Sequence, residues 1–400
     1  MKKKIKTIVL GVTSSIAAYK MTDVASSLTK DGYNVQVIMT KNATEIISPL
    51  TFSTLTGNKC IVDTFDKDVN YNVAHVAIAK QADLLFIAPA TANTIAKLAY
   101  GMADNMLTTV ALACTCPKVV SPAMNVNMYQ NPVVQNNLKR LTAFGYEVIA
   151  PDTGVLACKD EGSGKLPKTD VLLEHIYRYT KYEKDMKGIN VLVTAGATKE
   201  AIDPVRYITN HSSGKMGYAL ARNCMLRGAE VTVVSGSVSI GPVPFVNIIN
   251  VKSSKEMFEV VKGKSSDQDI VIMAAAVSDY RPKIVYDSKL KKKDDELSIE
   301  LERTDDILSW LGENKSSNQY ICGFSMETEN MLENSIKKLN NKKADMIVAN
   351  NLNEKGAGFK SDTNVVTLIT TDGVDELPIM SKDEVAEKIV NKIMEIGAPE

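Results

Sequence analysis

The chain has 400 residues, and its 47 Lys and Arg balance its 47 Asp and Glu to a formal net charge of zero. This balance predicts neither a nucleic-acid footprint nor binding to a membrane surface. The length predicts two or three domains with sizeable cores. No apolar segment of about 18 residues predicts a membrane span, and the apolar run after the basic start is too short for a signal peptide, so we expect a cytoplasmic protein.

The cysteines and histidines predict neither disulfides nor a zinc site. Six cysteines are scattered without CxxC spacing, at positions 60, 114, 116, 158, 224 and 322, and a disulfide framework is not expected in a cytosolic chain of this size. Cys114 and Cys116 end an apolar run and are more consistent with two packed small side chains than with a metal site. The three histidines lack grouped cysteines or carboxylates.

The first elements predict a parallel α/β sheet. Residues 6–10 predict a buried strand ended by Gly11, and residues 16–30 carry apolar side chains at helical spacing up to Gly32. Residues 35–39 predict the next strand, so this segment is a βαβ unit. A further strand is predicted at 82–88.

The turn at residues 11–15 is a candidate anion site. It places backbone N–H groups and hydroxyls at a predicted helix N-terminus, where phosphate binds well. The turn lacks the G-x-G-x-x-G pattern, so it fits a mononucleotide phosphate better than a dinucleotide. A serine that only caps the helix is the alternative.

Residues 121–129, Ser-Pro-Ala-Met-Asn-Val-Asn-Met-Tyr, follow a predicted strand end. The stretch is too polar and too Pro-bounded to extend a strand or to start a good helix, so we expect a loop at the carboxyl end of a parallel strand. The amide of Asn125 suits a substrate carboxylate. An Asn-rich turn that binds nothing is the alternative.

Residues 154–165, Gly-Val-Leu-Ala-Cys-Lys-Asp-Glu-Gly-Ser-Gly-Lys, are a second candidate. A cysteine between an apolar tripeptide and a Gly-rich charged loop is typical of a lid that carries one reactive group inward, here Cys158. His75 lies on a half-apolar stretch, and the pattern alone favours a structural residue there.

The βα pattern starts again after a charged connector at residues 178–187. Strands are predicted at 189–193 and 230–234 with a helix between them, so we predict two doubly wound α/β domains. The loop at 194–217 is long for a βα connection and dense in anion-binding groups, which is typical of a functional loop. Its Gly214-Lys215 pair does not complete a P-loop.

These motifs resemble two known families. Pro-Ala-Met-Asn-x-x-Met at 122–128 and Gly-x-Leu-Ala-Cys-x-x-x-Gly-x-Gly at 154–164 are similar to the phosphopantothenoylcysteine decarboxylases, which are flavin-dependent. The loop 194–217 closely resembles the Thr-Ala-Gly-x-Thr-x-Glu-x-Ile-Asp-Pro-Val-Arg region of the phosphopantothenate–cysteine ligases. The resemblance covers nearly the whole chain, as in the bifunctional coenzyme A biosynthesis flavoproteins. It implies two Rossmann-like domains, a flavodoxin-like flavoprotein domain at 1–185 and a nucleotide-binding ligase domain at 186–400.

For the first domain the resemblance implies FMN as the cofactor. It makes His75 an active-site residue, because the family has a matching His-Val-x-Ile context. In this chemistry the flavin oxidises the substrate thiol to a thioaldehyde, CO₂ leaves, and hydride and a proton are then returned. Asn125 would hold the carboxylate, His75 would assist oxidation by proton handling or positioning, and Cys158 would give the final proton. The residues implied to hold FMN are Thr13, Ser14, Thr40, Ala90, Thr91 and Asn93.

For the second domain the resemblance implies CTP-dependent ligation of L-cysteine to 4′-phosphopantothenate through an acyl-cytidylate. Lys289 would neutralise triphosphate charge in the transition state, and Asp279 is a candidate ligand of Mg²⁺. Asn210 would bind the acyl intermediate, Arg206 the phosphate side of the substrate, and Ala276 would contact the substrate. The implied nucleotide-contacting set is Met273, Ala274, Ala275, Asp279, Lys289, Asp305, Asp306, Ile307, Leu308, Phe324, Lys338 and Lys342.

The family pattern is not matched everywhere. Thr304-Asp305 stands where the ligase family has Asn-Pro, which leaves the shape of that loop open. The resemblance also implies a homo-oligomer, with trimeric flavoprotein domains and dimeric ligase domains, up to a dodecamer.

Two other functions compete with this interpretation. An NAD(P)-linked oxidoreductase is the main alternative, and the missing G-x-G-x-x-G in both halves argues against it. FMN absorbance of the purified protein would separate the two. A flavin-binding regulator without activity is a third possibility, against which the set Cys158, Asn125 and His75 argues.

Overall fold

The structure is a computed structural model that describes residues 6–65, 74–155, 160–291, 298–327, 330–351 and 361–397. It divides into two compact units, Met1–Tyr182 (unit 1) and Glu183–Glu400 (unit 2). No helix in these described ranges combines the length and the apolar character that a membrane crossing requires.

Unit 1 alternates strands with helices. Its strands are β1 (Thr7–Val12), β2 (Asn34–Met39), β3 (Leu84–Ala90), β4 (Lys118–Pro122), β5 (Tyr146–Val148), β6 (Asp152–Val155) and β7 (Glu161–Lys165). Its helices are α1 (Met21–Lys30), α2 (Pro49–Thr56), α3 (Ala74–Gln81), α4 (Ala92–Tyr100), α5 (Met106–Ala113), α6 (Val126–Gln130), α7 (Pro132–Ala143) and α8 (Thr169–Thr180). Two 3₁₀ helices span Ile16–Lys20 and Lys41–Glu45.

The main sheet of unit 1 has the order β2-β1-β3-β4-β5, and all its pairs are parallel. This is the flavodoxin-like order, with its switch point between β1 and β3. Both faces are covered, because Leu10 packs into a core cluster with Met21 of α1, while its neighbour Val9 packs into another with Leu107 of α5. Strands that are buried on both faces appear in the sequence as continuous apolar runs, which is why the sequence predicts these strands.

Three predicted boundaries in unit 1 are wrong. Gly11 does not end β1, because it pairs with Ile38 and Ile87 inside the sheet. The helix predicted from residue 16 starts as a 3₁₀ helix, and α1 begins only at Met21. The connector predicted from residue 178 begins later, since α8 continues to Thr180.

The stretch 121–129 is also more regular than expected. Strand β4 continues through Ser121 and Pro122, and α6 begins at Val126. Asn125 makes this helix start possible, because its Oδ1 accepts the N–H of Asn127 at 2.9 Å. The predicted lid at 154–165 overlaps an antiparallel hairpin of β6 and β7, and Cys158 lies outside the described residues.

Unit 2 is built on a larger sheet. Its strands are β8 (Asn190–Ala195), β9 (Lys199–Ala201), β10 (Tyr207–Thr209), β11 (Glu230–Ser235), β12 (Asn247–Asn250), β13 (Ile270–Met273), β14 (Tyr280–Pro282), β15 (Leu301–Arg303), β16 (Tyr320–Glu327), β17 (Met346–Asn351), β18 (Thr363–Asn364), β19 (Val366–Thr370), β20 (Val374–Glu376) and β21 (Met380–Ser381). Its helices are α9 (Lys215–Leu226), α10 (Ser254–Lys264), α11 (Ile307–Asn314), α12 (Met331–Asn341) and α13 (Lys382–Gly397), with a 3₁₀ turn at Ser265–Asp267.

The sheet of unit 2 has the order β12-β11-β8-β13-β16-β17-β19-β20. From β12 to β17 the strands are parallel, and β19 and β20 extend the edge antiparallel. The parallel part follows the 3-2-1-4-5-6 order of dinucleotide-binding folds, with its switch point between β8 and β13. Both units are thus doubly wound α/β folds, as the sequence predicts. The long loop at 194–217 contains a small hairpin, β9–β10.

Candidate active sites in the two units

The flavin-binding residues implied by the sequence meet at the carboxyl edge of the unit 1 sheet. Thr13 follows β1 and is fully buried. Its hydroxyl donates to the carbonyl oxygen of Pro89 at 2.6 Å and accepts the N–H of Thr91 at 3.0 Å. It thereby joins the ends of β1 and β3 at the switch point. Ala90 ends β3, Thr91 caps α4, Asn93 is exposed in the first turn of α4, and Ser14 is half-buried beside Thr13.

Two hydroxyl oxygens at this edge are buried without a hydrogen-bond partner among the described residues. They are Oγ1 of Thr40, directly after β2, and Oγ of Ser121 on β4. Leaving a buried hydroxyl unpaired costs about 1–3 kcal/mol, so a polar ligand is a natural explanation. The sequence pointed to Thr40 but not to Ser121 itself, whose only signal was a polar residue at the end of an apolar strand.

In the predicted anion-binding turn at residues 11–15, one backbone N–H group is already used in a hydrogen bond within the turn. The N–H of Ser15 donates to the carbonyl oxygen of Thr13 at 2.8 Å. The helix that follows is the five-residue 3₁₀ segment, and the Ser15 side chain does not cap it. A phosphate at this turn stays a prediction.

The Asn125 side chain is half-buried and faces a carboxylate of the chain itself. Its Nδ2 donates to Oδ2 of Asp160 at 2.8 Å. The β6–β7 hairpin lies directly on this segment, because the N–H of Met124 donates to the Gly164 carbonyl at 3.0 Å. A Cβ on Gly164 would lie 2.3 Å from the Met124 oxygen, so glycine is required for this close approach.

His75 is the second residue of α3 and is half-buried. Helix α3 packs against α5, and a Cβ on Gly11 of β1 would lie 2.6 Å from Leu107 Cδ1 of α5. Helix α3 therefore lies on the same face of the sheet as α5. Its catalytic role stays a prediction, as does that of Cys158.

In unit 2, two buried threonines shape the switch point between β8 and β13. The Oγ1 of Thr194 accepts the N–H of Ala275 at 3.1 Å, and the Oγ1 of Thr198 accepts the N–H of Ser278 at 3.0 Å. Asn210 adds a third connection, because its Nδ2 donates to the carbonyl oxygen of Val277 at 3.0 Å. The segment after β13 is thus held against the β8 loop.

Two pockets adjoin this segment. The first has a volume of about 490 Å³ and the second about 530 Å³. Of the implied nucleotide-binding residues, the first is lined by Met273, Ala275, Asp279, Asp305, Asp306, Ile307, Leu308, Phe324, Lys338 and Lys342. The second is lined by Asn210, Ala274 and Ala276, together with Ala275, Asp279, Phe324 and Lys338. Most residues that the resemblance implied for the ligase therefore converge.

The first pocket combines lysines with a capping carboxylate. Lys342 Nζ lies 2.5 Å from Asp306 Oδ2, and Lys338 Nζ donates to the carbonyl oxygen of Phe324 at 2.9 Å. Burial opposes ionisation of Asp306, but Lys342 and the N–H of Ser309 hold the pKa of that carboxyl below its usual value. The pocket therefore holds lysine side chains beside an ionised carboxylate, with the Lys342 charge paired to Asp306.

Thr304, in the loop that departs from the ligase pattern, is held in place by two hydrogen bonds. Its hydroxyl donates to the Ser278 carbonyl at 2.6 Å, and its N–H donates to the Asp279 carbonyl at 3.0 Å. The side chain thus fixes the loop to the segment that carries Asp279.

Lys289 and Arg206 line neither of these two pockets. Lys289 is exposed on an irregular segment. Arg206 pairs with the buried Asp203, and its Nη2 also donates to the carbonyl oxygen of Leu290 at 2.8 Å. Within one copy of the chain, the structure does not bring these two cations to the pockets.

Each of the two units is a doubly wound α/β fold with candidate ligand-binding residues at the carboxyl edge of its sheet. The Flavoprotein family matches residues 1–181, and the DNA/pantothenate metabolism flavoprotein C-terminal domain matches residues 186–396. The chain is 45% identical over 392 residues to the coenzyme A biosynthesis bifunctional protein CoaBC of Bacillus subtilis (strain 168), covering 97% of this chain and 96% of that protein.

Two solved structures are also similar. The crystal structure of the C-terminal domain of a CoaBC protein is 44% identical, covers 53% of this chain and 96% of its own, and has a TM-score of 0.46. The FMN-dependent cysteine decarboxylase SpaF is 30% identical and has a TM-score of 0.37. The match covers 43% of this chain and 98% of the SpaF chain.

From the family matches and the full-length relatives, the chain belongs to the family of bifunctional CoaBC proteins of coenzyme A biosynthesis. It is a flavoprotein-family enzyme with a decarboxylase and a ligase activity.

Proposed function

We propose that residues 1–185 form an FMN-dependent phosphopantothenoylcysteine decarboxylase and residues 186–400 a CTP-dependent phosphopantothenate–cysteine ligase. The observation that carries this proposal is that most of the described motif residues of each half, though not Lys289 and Arg206, gather at the carboxyl edge of their own sheet. Ligands of open α/β sheets bind at such switch points. Ligation would supply the substrate of the decarboxylase, and 4′-phosphopantetheine would be the product.

The edge of unit 1 fits FMN. The unpaired hydroxyls of Thr40 and Ser121 would hydrogen-bond the cofactor, and Thr13 would hold the two strand ends that receive it. Ser14, Ala90, Thr91 and Asn93 would complete the cradle. When bound, the flavin supplies the reversible two-electron acceptor that turns the substrate into a species able to lose CO₂.

The substrate end of this site is supported by Asn125. Its amide nitrogen already donates to a carboxylate, that of Asp160, so its position suits a carboxylate acceptor. The substrate carboxylate would replace Asp160 there. His75 would handle a proton or position the thiol during oxidation, and Cys158 would return a proton to carbon at the end.

The ligase reaction is supported by the first pocket of unit 2. Lys338 and Lys342 would bind the CTP phosphates, and Asp279 would bind Mg²⁺ between the two pockets. In the described residues no group of three or more His, Cys, Asp or Glu could hold a metal ion by itself. Mg²⁺ is usually held by one or two carboxylates together with substrate phosphates, which agrees with a single Asp279. Asn210 and Ala276 would contact the acyl group in the second pocket.

The positions of Lys289 and Arg206 outside both pockets support a homo-oligomer. The segment that carries Lys289 also exposes large apolar side chains, Ile284, Val285 and Tyr286, which are 59%, 57% and 41% exposed. Neighbouring exposed apolar side chains mark interaction surfaces. We propose that ligase domains pair through this segment, so that Lys289 and Arg206 act on the pocket of a second copy, and that flavoprotein domains form trimers.

We also propose a cytoplasmic location. Five cysteines in the described residues are free, among them the neighbouring Cys114 and Cys116. Free thiols are typical of a reducing compartment.

One reaction mixture tests both proposed activities. The purified protein should show flavin absorbance, and with 4′-phosphopantothenate, cysteine, CTP and Mg²⁺ it should form 4′-phosphopantetheine, measured by mass. Omitting CTP should stop ligation but leave decarboxylation of supplied phosphopantothenoylcysteine. A protein that carries no flavin, or that forms the product without a nucleotide, would refute the corresponding half.

A further inference from the structure

Asp203, in the turn between β9 and β10, is the acceptor for two separate segments of unit 2. Its Oδ1 accepts the N–H groups of Val205 and Arg206, both at 2.8 Å. Its Oδ2 accepts Arg206 Nε at 2.9 Å and the N–H of Leu290 at 3.1 Å. The side chain of Asp203 is 0% exposed. One buried carboxylate therefore joins a turn to a segment more than eighty residues later in the chain.

The Leu290 backbone is held at both of its polar groups. Its N–H donates to Asp203, and its carbonyl accepts Arg206 Nη2 at 2.8 Å. A further bond from the N–H of Tyr286 to the carbonyl of Ile202 reaches the same turn at 3.0 Å. The segment 283–290 belongs to no strand or helix. It is therefore fixed largely by this turn.

The charge of Asp203 suits this task. Burial opposes its ionisation, but Arg206 and the N–H groups of Val205, Arg206 and Leu290 hold the pKa of that carboxyl well below its usual value. Both oxygens consequently remain acceptors at neutral pH.

We infer that Asp203 is a positioning residue of the ligase reaction, which holds the Arg206 guanidinium and the backbone beside Lys289 as one cationic unit. This rests on the proposed role of Lys289 in nucleotide transfer. Asp203 would touch no substrate. Its loss would leave the charge of Lys289 intact but its position undefined, and a displacement of about 1 Å can cost about 100-fold in rate.

Asp203→Asn tests the positioning directly. The variant keeps Oδ1, so the turn retains its two backbone acceptor bonds, but it puts an NH₂ group where Oδ2 accepts from Leu290 and Arg206. We expect amide hydrogen exchange at Leu290 to speed up at least about tenfold, because a protecting hydrogen bond is lost. An unchanged exchange rate at Leu290 would overturn the inference.

The kinetic expectation is a fall of about 10- to 100-fold in ligation kcat, with a smaller change in the KM for CTP. Decarboxylation of supplied phosphopantothenoylcysteine should not change. Asp185→Asn is the matched control, since it breaks another Asp–Arg pair of unit 2, with Arg227, and should alter neither Leu290 exchange nor ligation kcat. A similar loss in the control would mean that Asp203→Asn acts through general stability.

A double-mutant cycle separates this inference from the proposed function. In a Lys289→Gln background, Asp203→Asn should lower ligation kcat by a smaller factor than in the wild-type background, because the part of its effect that acts through Lys289 is already lost. Fully additive losses would show that Asp203 does not act through Lys289, and would overturn the inference. A wild-type ligation rate in Lys289→Gln would instead refute the proposed role of Lys289. The amide exchange rate at Leu290 does not depend on that role, so it tests separately whether Asp203 holds the backbone at Leu290.

Discussion

The amide nitrogen of Asn125 donates a hydrogen bond to Oδ2 of Asp160 at 2.8 Å. The group proposed to hold the substrate carboxylate is thus already bonded to a carboxylate from the β6–β7 hairpin. A substrate carboxylate that binds the Asn125 amide would share that nitrogen with Asp160 and would be repelled by the charge of Asp160.

Asp160→Ala should therefore lower the KM for phosphopantothenoylcysteine. One exposed hydrogen bond is worth about 0.5–1.5 kcal/mol, so we expect a fall of about 2- to 10-fold with little change in FMN binding. Initial rates of CO₂ release measure it. Glu161→Ala removes the neighbouring carboxylate on β7, which is exposed, and serves as the control. A higher KM in Asp160→Ala would show that Asp160 helps to bind substrate.

Asn125→Asp should block decarboxylation while sparing FMN binding. Aspartate caps a helix as well as asparagine, so α6 should persist. The new carboxylate would repel both Asp160 and the substrate carboxylate. Asn127→Asp places the same charge two residues away on an exposed side chain and should remain active. Normal CO₂ release by Asn125→Asp would refute the role of Asn125 in holding the carboxylate.

Thr40→Val and Ser121→Ala should weaken FMN binding without destabilising the apoprotein. Both hydroxyls are buried and have no partner among the described residues, so their removal costs no hydrogen bond in that part of the chain and should leave the melting temperature equal or higher. Each should raise the FMN dissociation constant about 2- to 10-fold, measured by titration of the apoprotein.

Ser254→Ala is the matched control for these hydroxyls, because Ser254 Oγ is another buried, unpaired hydroxyl, located in unit 2. It should leave FMN affinity unchanged. Wild-type affinity in both Thr40→Val and Ser121→Ala would remove these hydroxyls from the flavin site.

Glu147 should make the stability of unit 1 depend on acid pH. His175 Nδ1 lies 2.6 Å from one carboxylate oxygen, and the Tyr179 hydroxyl donates to the other at 2.5 Å. Burial opposes ionisation, but these bonds lower the pKa of Glu147 from its ordinary 4.5. A lowered folded-state pKa contributes stability that is present above the unfolded pKa and is lost as pH falls through the folded value.

Glu147→Gln should therefore flatten the loss of unit 1 stability that sets in below about pH 5 and continues as the pH falls through the lowered folded-state pKa of Glu147. Urea unfolding of the apoprotein followed by circular dichroism measures the loss. The only tryptophan, Trp310, lies in unit 2, so its fluorescence is an internal control that should not change. An equally steep pH dependence in the variant would contradict the role of Glu147.

Cutting the chain after Tyr182 should give two pieces that each fold. Residues 1–182 should retain flavin and decarboxylate supplied substrate, and 183–400 should ligate cysteine with CTP. A cut after Lys187 should give a less stable second piece, since Met186 is 0% exposed and Asp185 pairs with the buried Arg227 of unit 2. If neither piece from the first cut folds, the assignment of one activity to each half is wrong.

The sequence by itself determined the class of fold and supplied the candidate residues of the sites. Strands such as 7–12 and 190–195 are buried on both faces, so their apolar runs are visible without any knowledge of their neighbours. The motif around Asn125 and the loop 194–217 identified the two halves through local residue types. These are properties of short segments, which is why reading along the chain finds them.

Only the tertiary structure decided how distant residues meet. The bonds of Thr13 to residues near 90, of Asn125 to Asp160 and of Asp203 to Leu290 join positions that are remote in sequence. Ser121 became a candidate only when its hydroxyl was found buried and unpaired. Lys289 and Arg206, which the motifs placed with the nucleotide and the substrate, line neither pocket of one copy. Hydrogen-bond satisfaction and burial depend on which segments pack together, and the local pattern of residues does not contain that information.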